Sequence, residues 1–412
     1  MLCGIAAVLF IVYYYFTLNF NFWKSRGICG PKPIPGFGNF ASVLFMRKSL
    51  PDFLMEMYNN YKDESMIGIF ITRRPVLIVK DPDLIKDILI KDFTTFADRG
   101  FPRHEKLDPL SQHLFALEPK RWRPLRTRLS PVFTSGKLKE MFSLITQCSD
   151  RLEQYIETLA SKNEPVECRE LTAKYTTDVI GTCAFGIEMN ALSDEDSEFR
   201  RMGRMVFMPT WENILRARLK QFLPWLCDIL SYIVPTTKIN KFFTRIVIET
   251  MTYRDENNIV RHDFIDTLRE LKKHPDKVNN IDLTESFIAA QAFIFFVAGF
   301  ETSSTTMSNA LYELALNQEI QNKLREEINK EYIRHNGNFT YENIKKINYL
   351  DKVFKGARFA VHQTKIGLIN ILRNYKVETC EKTPIPYVND SRTFILTPLG
   401  GIYLKMIKID RS

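Results

Sequence analysis

The chain has 412 residues, of which 45% are hydrophobic and 25% charged, a composition that favours a globular protein with a sizeable core over disorder. Its net charge of +9 is spread along the chain without long basic runs, so we expect no nucleic-acid partner and favour an anionic lipid surface or an acidic protein. The seven cysteines contain no C-x-x-C pair, which disfavours a disulfide framework and indicates a reducing compartment.

The first predicted element is a transmembrane anchor over residues 1–23. Leu2 to Trp23 carry no charged side chain, and about 20 apolar residues span the hydrocarbon core as a helix. Lys24 and Arg26 follow, and positive charge beside a span stays in the cytoplasm. A cleaved signal peptide is the alternative, but it has a basic start and a shorter apolar stretch. We therefore expect one membrane span with a cytoplasmic body.

Residues 24–38 form a basic, proline-rich lead to the body, residues 39–412. Proline fixes φ and lacks an amide donor, so this lead is neither helix nor central strand. Two short strands are predicted over residues 66–80, followed by a helix that Asp81-Pro82 starts and that runs through Ile90.

The apolar pattern is helical from about residue 120 to 330. The tail from Phe394 to Ile409 returns to β structure, with Gly400-Gly401 as a hairpin signal. The sequence thus predicts a mainly α fold with a small β region. Its 31 phenylalanines suit either a large apolar pocket or an ordinary core.

One helix combines an apolar stretch with an unusual polar end. Ser286 to Gly299 is apolar on every side, which predicts a buried helix. Glu301 and Thr302 then begin a hydroxyl-rich stretch, and such a local conflict often marks a functional site. The structural alternative is that the hydroxyls bond back to carbonyls while Glu301 reaches a partner.

This helix resembles a known family. Ala298-Gly299-Phe300-Glu301-Thr302 is similar to the oxygen-binding helix of the cytochrome P-450 haem-thiolate monooxygenases. Other segments resemble insect microsomal members in the same order along the chain: Trp122-Arg-Pro-Leu-Arg126, Asp178 to Gly186, Asn317 to Ile328 and Arg358-Phe-Ala360. The resemblance implies the cytochrome P-450 fold behind a single transmembrane helix in the endoplasmic reticulum membrane. It also implies haem-dependent oxidation of lipophilic xenobiotics or endogenous compounds, with electrons from an NADPH-dependent reductase in that membrane.

The same resemblance implies roles for particular residues. Thr302 would hold the water that delivers protons, with Glu301 as the acid behind it. Trp122 and Arg126 would bind the haem propionates, whereas without the resemblance an amphipathic helix with a buried Trp and a surface Arg is the favoured explanation. Ala298 and Gly299 would lie beside the haem and dioxygen. The expected substrate pocket includes Phe101, Phe115, Phe295 and Leu399.

The iron ligand of the family is missing from this sequence. In the family a loop reading roughly Phe-x-x-Gly-x-Arg-x-Cys-x-Gly precedes the Arg-Phe-Ala helix and supplies a cysteine thiolate. Here the ligand position holds Phe354, and the expected E-x-x-R helix is also absent. One internal deletion near 353/354 accounts for both, so we predict an incomplete fold without a metal ligand or thiolate-ligated haem.

Several hypotheses on function therefore stay open. The chain is a monooxygenase by family, and whether it is an enzyme as written is undecided. It is otherwise a catalytically dead, membrane-anchored paralogue or splice form that acts at most as a binding protein, or an incomplete gene model. A membrane-tethered helical interaction protein explains the anchor but not the ordered motifs.

Overall fold

A computed structural model describes residues 2–101, 105–194, 197–208, 210–222, 226, 229, 237–278, 281–353, 358–393 and 396–409. The chain divides into two compact units. The first contains residues 1–97 and 389–397, and the second contains residues 98–388 and 398–412. Phe354, which the sequence analysis places at the iron-ligand position, lies outside the described residues.

The first unit is built on a two-stranded hairpin. Strands β1 (Met66–Ile71) and β2 (Arg74–Val79) pair antiparallel, which confirms the two short strands predicted over residues 66–80. Thr72 has a φ of 56° in the connecting turn. The helices of this unit are α1 (Leu2–Thr17), α2 (Ala41–Leu44), α3 (Leu50–Asn60) and α4 (Pro82–Lys86). The predicted helix after Asp81 is confirmed, and a π-helical turn extends it over Asp87–Lys91.

The apolar N-terminal segment forms a shorter helix than the sequence predicts. Helix α1 ends at Thr17, and the following residues are in turns. The rings of Phe20 and Phe70 lie 5.3 Å apart, and Trp23 Nε1 donates to the carbonyl of Ile69 at 2.9 Å. These contacts with β1 explain why residues 18–23 leave the helix.

The second unit is mainly helical. Its helices are, in chain order, α5 (Pro119–Leu129), α6 (Ser135–Ala160), α7 (Cys168–Ile180), α8 (Glu198–Phe207), α9 (Trp211–Phe222), α10 (Lys238–Glu256), α11 (Phe264–Lys273), α12 (Glu285–Leu316), α13 (Gln318–Arg334), α14 (Tyr341–Ile344), α15 (Asn348–Val353) and α16 (Arg358–Asn374). Short 3-10 turns cover Pro109–Ser111, Ser130–Phe133 and Pro275–Val278, and a π-helical turn covers Gly181–Phe185. The mainly α prediction is confirmed.

A small antiparallel sheet completes the second unit. Its order is β3 (Val166–Glu167), β5 (Tyr403–Lys408) and β4 (Tyr375–Thr379). The predicted tail strand is therefore present as β5. Within the described residues, β5 pairs with β3 and β4. It therefore does not form the hairpin that was expected around Gly400-Gly401.

Helix α12 is the core helix of the second unit. It is long and apolar enough to cross a membrane by length and composition alone, but 56% of its most apolar window is buried inside the protein. Phe296 and Phe300 are fully buried, with ring centroids 4.9 Å apart. The ring of Phe243 from α10 lies 5.1 Å from that of Phe296. This part of the phenylalanine-rich interior is packed core.

Candidate active site

Helix α12 turns two different faces to its surroundings around the predicted site. Ala298 and Thr302, one turn apart, are exposed. Phe300 and Glu301 are buried, and Glu301 is only 4% exposed. Neighbouring positions on a helix point about 100° apart, so Glu301 and Thr302 cannot share one direction. The predicted catalytic pair is therefore split between the interior and the surface.

Helix α7 covers the buried face at close range. The hydroxyls of Thr172 and Thr176 lie 3.0 and 2.9 Å from the carbonyl oxygens of Ser304 and Phe300. A Cβ added to Gly299 would come within 2.6 Å of Ile180 Cδ1. A methyl group here would require Ile180 to shift, so the glycine, assigned by resemblance to the dioxygen site, also permits the close packing of α12 against α7.

Glu301 forms an ion pair with Arg169 of α7. Both side chains are mostly buried, at 5% and 18% exposure. Thr302 donates instead to the carbonyl of Ala298 at 2.6 Å, and Thr306 donates to that of Thr302 at 2.8 Å. This is the arrangement of the structural alternative, in which hydroxyls bond back and Glu301 reaches a partner. The proton-delivery role of the two residues stays a prediction.

A buried glutamine that the sequence analysis did not single out joins α16 to α12. Gln363 Nε2 donates to the carbonyl of Gly299 at 2.8 Å and to the hydroxyl of Ser303. The Tyr175 hydroxyl donates to the Gln363 carbonyl at 3.1 Å. The sequence signal for this contact was a polar run, His362 to Lys365, inside an otherwise apolar helix. A fully buried amide such as that of Gln363 requires hydrogen-bond partners.

Trp122 and Arg126 lie on α5 with different exposure. Trp122 is 7% exposed, whereas Arg126 is exposed. The guanidinium of Arg99 lies 5.3 Å from the ring of Trp122 and 5.2 Å from that of Phe115. The ring of Phe101 lies 5.2 Å from that of Phe115. Arg99, which the sequence analysis missed, connects these two predicted pocket residues to the predicted haem-binding tryptophan.

The other two predicted pocket residues lie in different surroundings. Phe295 packs against Phe133 and Phe264, with ring centroids 5.2 and 3.9 Å apart. Leu399 is 54% exposed, and its amide donates to the carbonyl of Val388 at 2.7 Å. The structure therefore brings Phe101 and Phe115 together, while Phe295 belongs to an aromatic cluster of its own.

The described cysteines do not provide an iron ligand at α12. Burial raises the pKa of the Cys148, Cys168 and Cys183 thiols, which therefore remain protonated. Cys380 hydrogen-bonds to the carbonyl of Tyr403. Among the described residues, no group of three or more His, Cys, Asp or Glu side chains is arranged to hold a metal ion. A thiolate ligand needs a deprotonated, accessible sulfur. The hydrogen bonds of the Cys148, Cys168 and Cys380 thiols do not involve Ala298 or Thr302.

Comparison with known proteins identifies the family. The family model "Cytochrome P450", written here P-450, matches residues 29–355, well over half of the chain. This chain belongs to the cytochrome P-450 family. Cytochrome P-450 6a2 of Drosophila melanogaster is 33% identical over 500 residues, covering 98% of this chain and 98% of the relative. Cytochrome P-450 6k1 of Blattella germanica is 37% identical over 366 residues, covering 85% of this chain and 70% of the relative.

The cytochrome P-450 relatives are longer than this chain. The alignment with the Drosophila protein contains about 96 positions at which this chain has a gap. Cytochrome P-450 6A1 of Musca domestica is 36% identical over 409 residues. That alignment includes 98% of this chain but only 79% of the relative. The resemblance stated from the motifs is confirmed. Haem is the cofactor of this family, but the cysteines described above do not fit a thiolate-ligated haem in this chain.

Substitution of Gly299 tests the close approach of α12 and α7. Gly299→Ala is expected to lower the free energy of unfolding by about 1–3 kcal/mol, because the new methyl group overlaps Ile180. Gly136→Ala in α6 is the control, because no atom lies within 4 Å of its added Cβ. It is expected to raise stability by up to about 1 kcal/mol. Urea unfolding of both variants measures this difference, and equal effects would contradict the packing.

Proposed function

We propose that this chain is a membrane-anchored member of the cytochrome P-450 family that does not form the thiolate-ligated haem and does not hydroxylate substrates. The observation that carries the proposal is the missing iron ligand. The motif position holds Phe354, and burial raises the pKa of the Cys148, Cys168 and Cys183 thiols, which disfavours a thiolate. Without the thiolate, the iron lacks the electron donation that favours O–O cleavage.

An internal deletion near Val353 explains how the ligand was lost. The positions without a counterpart lie inside the alignment with the Drosophila protein, which supports an internal block. The family match also ends at residue 355. On either side of the junction, Asp351 of α15 and Lys365 of α16 form an ion pair at 2.6 Å. Lys365 is only 3% exposed, so this pair satisfies a buried charge in the shortened chain.

The proposed location is the endoplasmic reticulum membrane, with α1 as the anchor and the body in the cytoplasm. The apolar α1 and the basic residues directly after it support this topology. In the family, an NADPH-dependent reductase in the same membrane supplies electrons and the substrates are lipophilic. A chain without haem has no acceptor for those electrons, so a retained reductase contact would be unproductive.

The carbon monoxide difference spectrum tests the proposal. The full chain is expressed in membranes with added haem precursor, reduced and exposed to carbon monoxide, and haem content is measured separately. We expect no thiolate-type Soret band and haem at the background level. A thiolate-type band in proportion to the protein overturns the proposal, whereas haem without that band indicates a different iron ligand and supports the absence of thiolate-ligated haem.

A full-length monooxygenase is the second candidate, because both ends of the Drosophila relative align with this chain. In this case the printed sequence is an incomplete gene model, and the product acts on lipophilic xenobiotics or endogenous compounds. Transcripts read across the Val353–Phe354 junction distinguish the two. A transcript that joins these codons directly supports the inactive form, and one with an additional block supports the monooxygenase.

A further inference from the structure

A cavity in the first unit lies beside the end of the N-terminal helix. Its volume is about 710 Å³. Phe20, Trp23 and Phe70 provide an aromatic wall, and the side chains of Lys24 and Lys32 also line it. The amide of Gly68 donates to the carbonyl of Cys29 at 2.8 Å, which holds the proline-rich lead against β1 as one side of the cavity.

The N-terminal segment that forms most of this cavity carries only basic charge. The first 51 residues contain no Asp or Glu but five basic side chains, at positions 24, 26, 32, 47 and 48. Lys48 is paired with Glu56, whereas Lys24 and Lys32 are exposed and form no ion pair within the described residues. The carboxylate of Glu64 interacts with Cys29 and raises the pKa of its thiol. The two free lysines therefore offer their charge to an anion in the cavity.

The length of α1 places the cavity at a particular membrane depth. Its 16 residues extend over about 24 Å, less than the ~30 Å of the hydrocarbon core. A bilayer that thins locally matches this length, and the non-helical turn from Leu18 to Trp23 then lies at the interface rather than in the hydrocarbon. This turn is attached to the hairpin, since Asn19 Nδ2 lies 3.4 Å from the Arg73 carbonyl and the Arg73 guanidinium stacks 3.6 Å over the Tyr15 ring. Crossing thus brings the cavity to the level of the lipid headgroups.

We propose that this cavity binds the headgroup of an anionic phospholipid. Lys24 and Lys32 neutralise the phosphate and the headgroup carboxylate or hydroxyls, and the first acyl carbons contact Phe20 and Trp23. The inference rests on the proposed membrane insertion of α1 and adds a specific lipid to it. Aromatic side chains and lysines are the residues that proteins place at this level of the bilayer.

Quenching of Trp23 by brominated lipids tests the proposal. The full chain is reconstituted into phosphatidylcholine vesicles that contain the same fraction of brominated phosphatidylserine or brominated phosphatidylcholine. The signal of Trp23 is the part of the quenching lost in Trp23→Phe, because three other tryptophans are present. We expect stronger quenching by the phosphatidylserine probe. The preference should fall about thirtyfold in Lys24→Gln/Lys32→Gln, at roughly 1 kcal/mol per basic residue.

The control variant removes the same charge elsewhere. Lys162→Gln/Lys330→Gln changes two lysines of the second unit and should leave the preference intact. Equal quenching by both probes, or the same loss in both double variants, overturns the proposal. Loss of the preference on addition of inorganic phosphate assigns the cavity to a soluble anion and also overturns it. Flotation of the vesicles measures membrane insertion separately, so failure of the anchor is distinguished from failure of the lipid site.

Discussion

Insertion of the relatives' unmatched segment between Val353 and Phe354 is expected to raise bound haem from background to about one per chain. The segment would return the thiolate loop and the E-x-x-R helix that the family motifs contain and this sequence lacks. Trp122 and the α12 residues Ala298 and Thr302 are still present for the other side of the cofactor. The carbon monoxide spectrum and the haem content of the chimera measure the outcome.

The control for this insertion is the same segment with its motif cysteine replaced by alanine. It should fold equally well but give no thiolate-type band, which separates the ligand from the effect of added chain. Within the working chimera, Trp122→Phe and Arg126→Leu test the predicted propionate contacts through haem retention. The idea of a single missing block is wrong if the inserted chain unfolds no more cooperatively than the original and binds no haem.

Local patterns in the sequence predicted local structure well. The hairpin Met66–Ile71 and Arg74–Val79 needs only two short apolar runs on either side of a tight turn, and both predicted strands are present. Asp81 caps the next helix by accepting from the amide of Leu84 at 2.9 Å. Each of these features depends on residues within a few positions of one another, so the chain itself contains the necessary information.

Contacts between distant segments were not predictable from the same patterns. Strand β5 was expected in a terminal hairpin but pairs with Tyr375–Thr379 and Val166–Glu167. Helix α1 was expected to continue to Trp23, which instead packs on β1. In both segments the apolar run indicated that the segment would be buried, but not which element it would pack against. Periodicity identifies the apolar face of an element and contains no information about the partner of that face.

The candidate site shows the same limit more sharply. The spacing of Glu301 and Thr302 is visible in the sequence, but the partner of Glu301 is Arg169, 132 positions earlier. The family resemblance assigned Gly299 to dioxygen, whereas the structure shows that a Cβ at this position would overlap Ile180 of α7. Residue type and order thus located the site, while the direction of each side chain depended on which helix lies beside α12.

A second large effect is expected from the buried ion-pair network of α10 and α11. Arg254 donates from Nη1 and Nη2 to the two carboxylate oxygens of Asp263 at 2.7 Å each, and from Nη1 to Asp266 at 2.9 Å. It also donates to the carbonyl of Phe185 at 2.7 Å. Arg254→Met leaves two buried carboxylates without this partner, so the free energy of unfolding should fall by about 3–5 kcal/mol.

A matched control lies on the same helix. Arg245 forms an exposed pair with Glu198 at 3.5 Å, in which both side chains are about half exposed. Arg245→Met should therefore change stability by less than about 1 kcal/mol. Urea unfolding of both variants at neutral pH gives the comparison. Similar losses in the two variants would show that burial of the Arg254 network contributes nothing beyond an ordinary surface pair.

The pH dependence of unfolding provides an independent measure of this network. Burial acts to raise the pKa of Asp266, but hydrogen bonds from the amides of Arg261 and His262 and from Arg269 and Arg254 lower it to about 2. A depressed pKa means that the folded state binds the proton less readily than the unfolded state. The resulting stabilisation, on the order of 2 kcal/mol, is complete above about pH 4 and is lost as the pH falls towards 2. In Arg254→Met this acid-dependent part should shrink, since one of the bonds that lower the pKa is gone. An unchanged acid dependence in the variant would mean that the backbone amides and Arg269 hold the Asp266 carboxylate without Arg254.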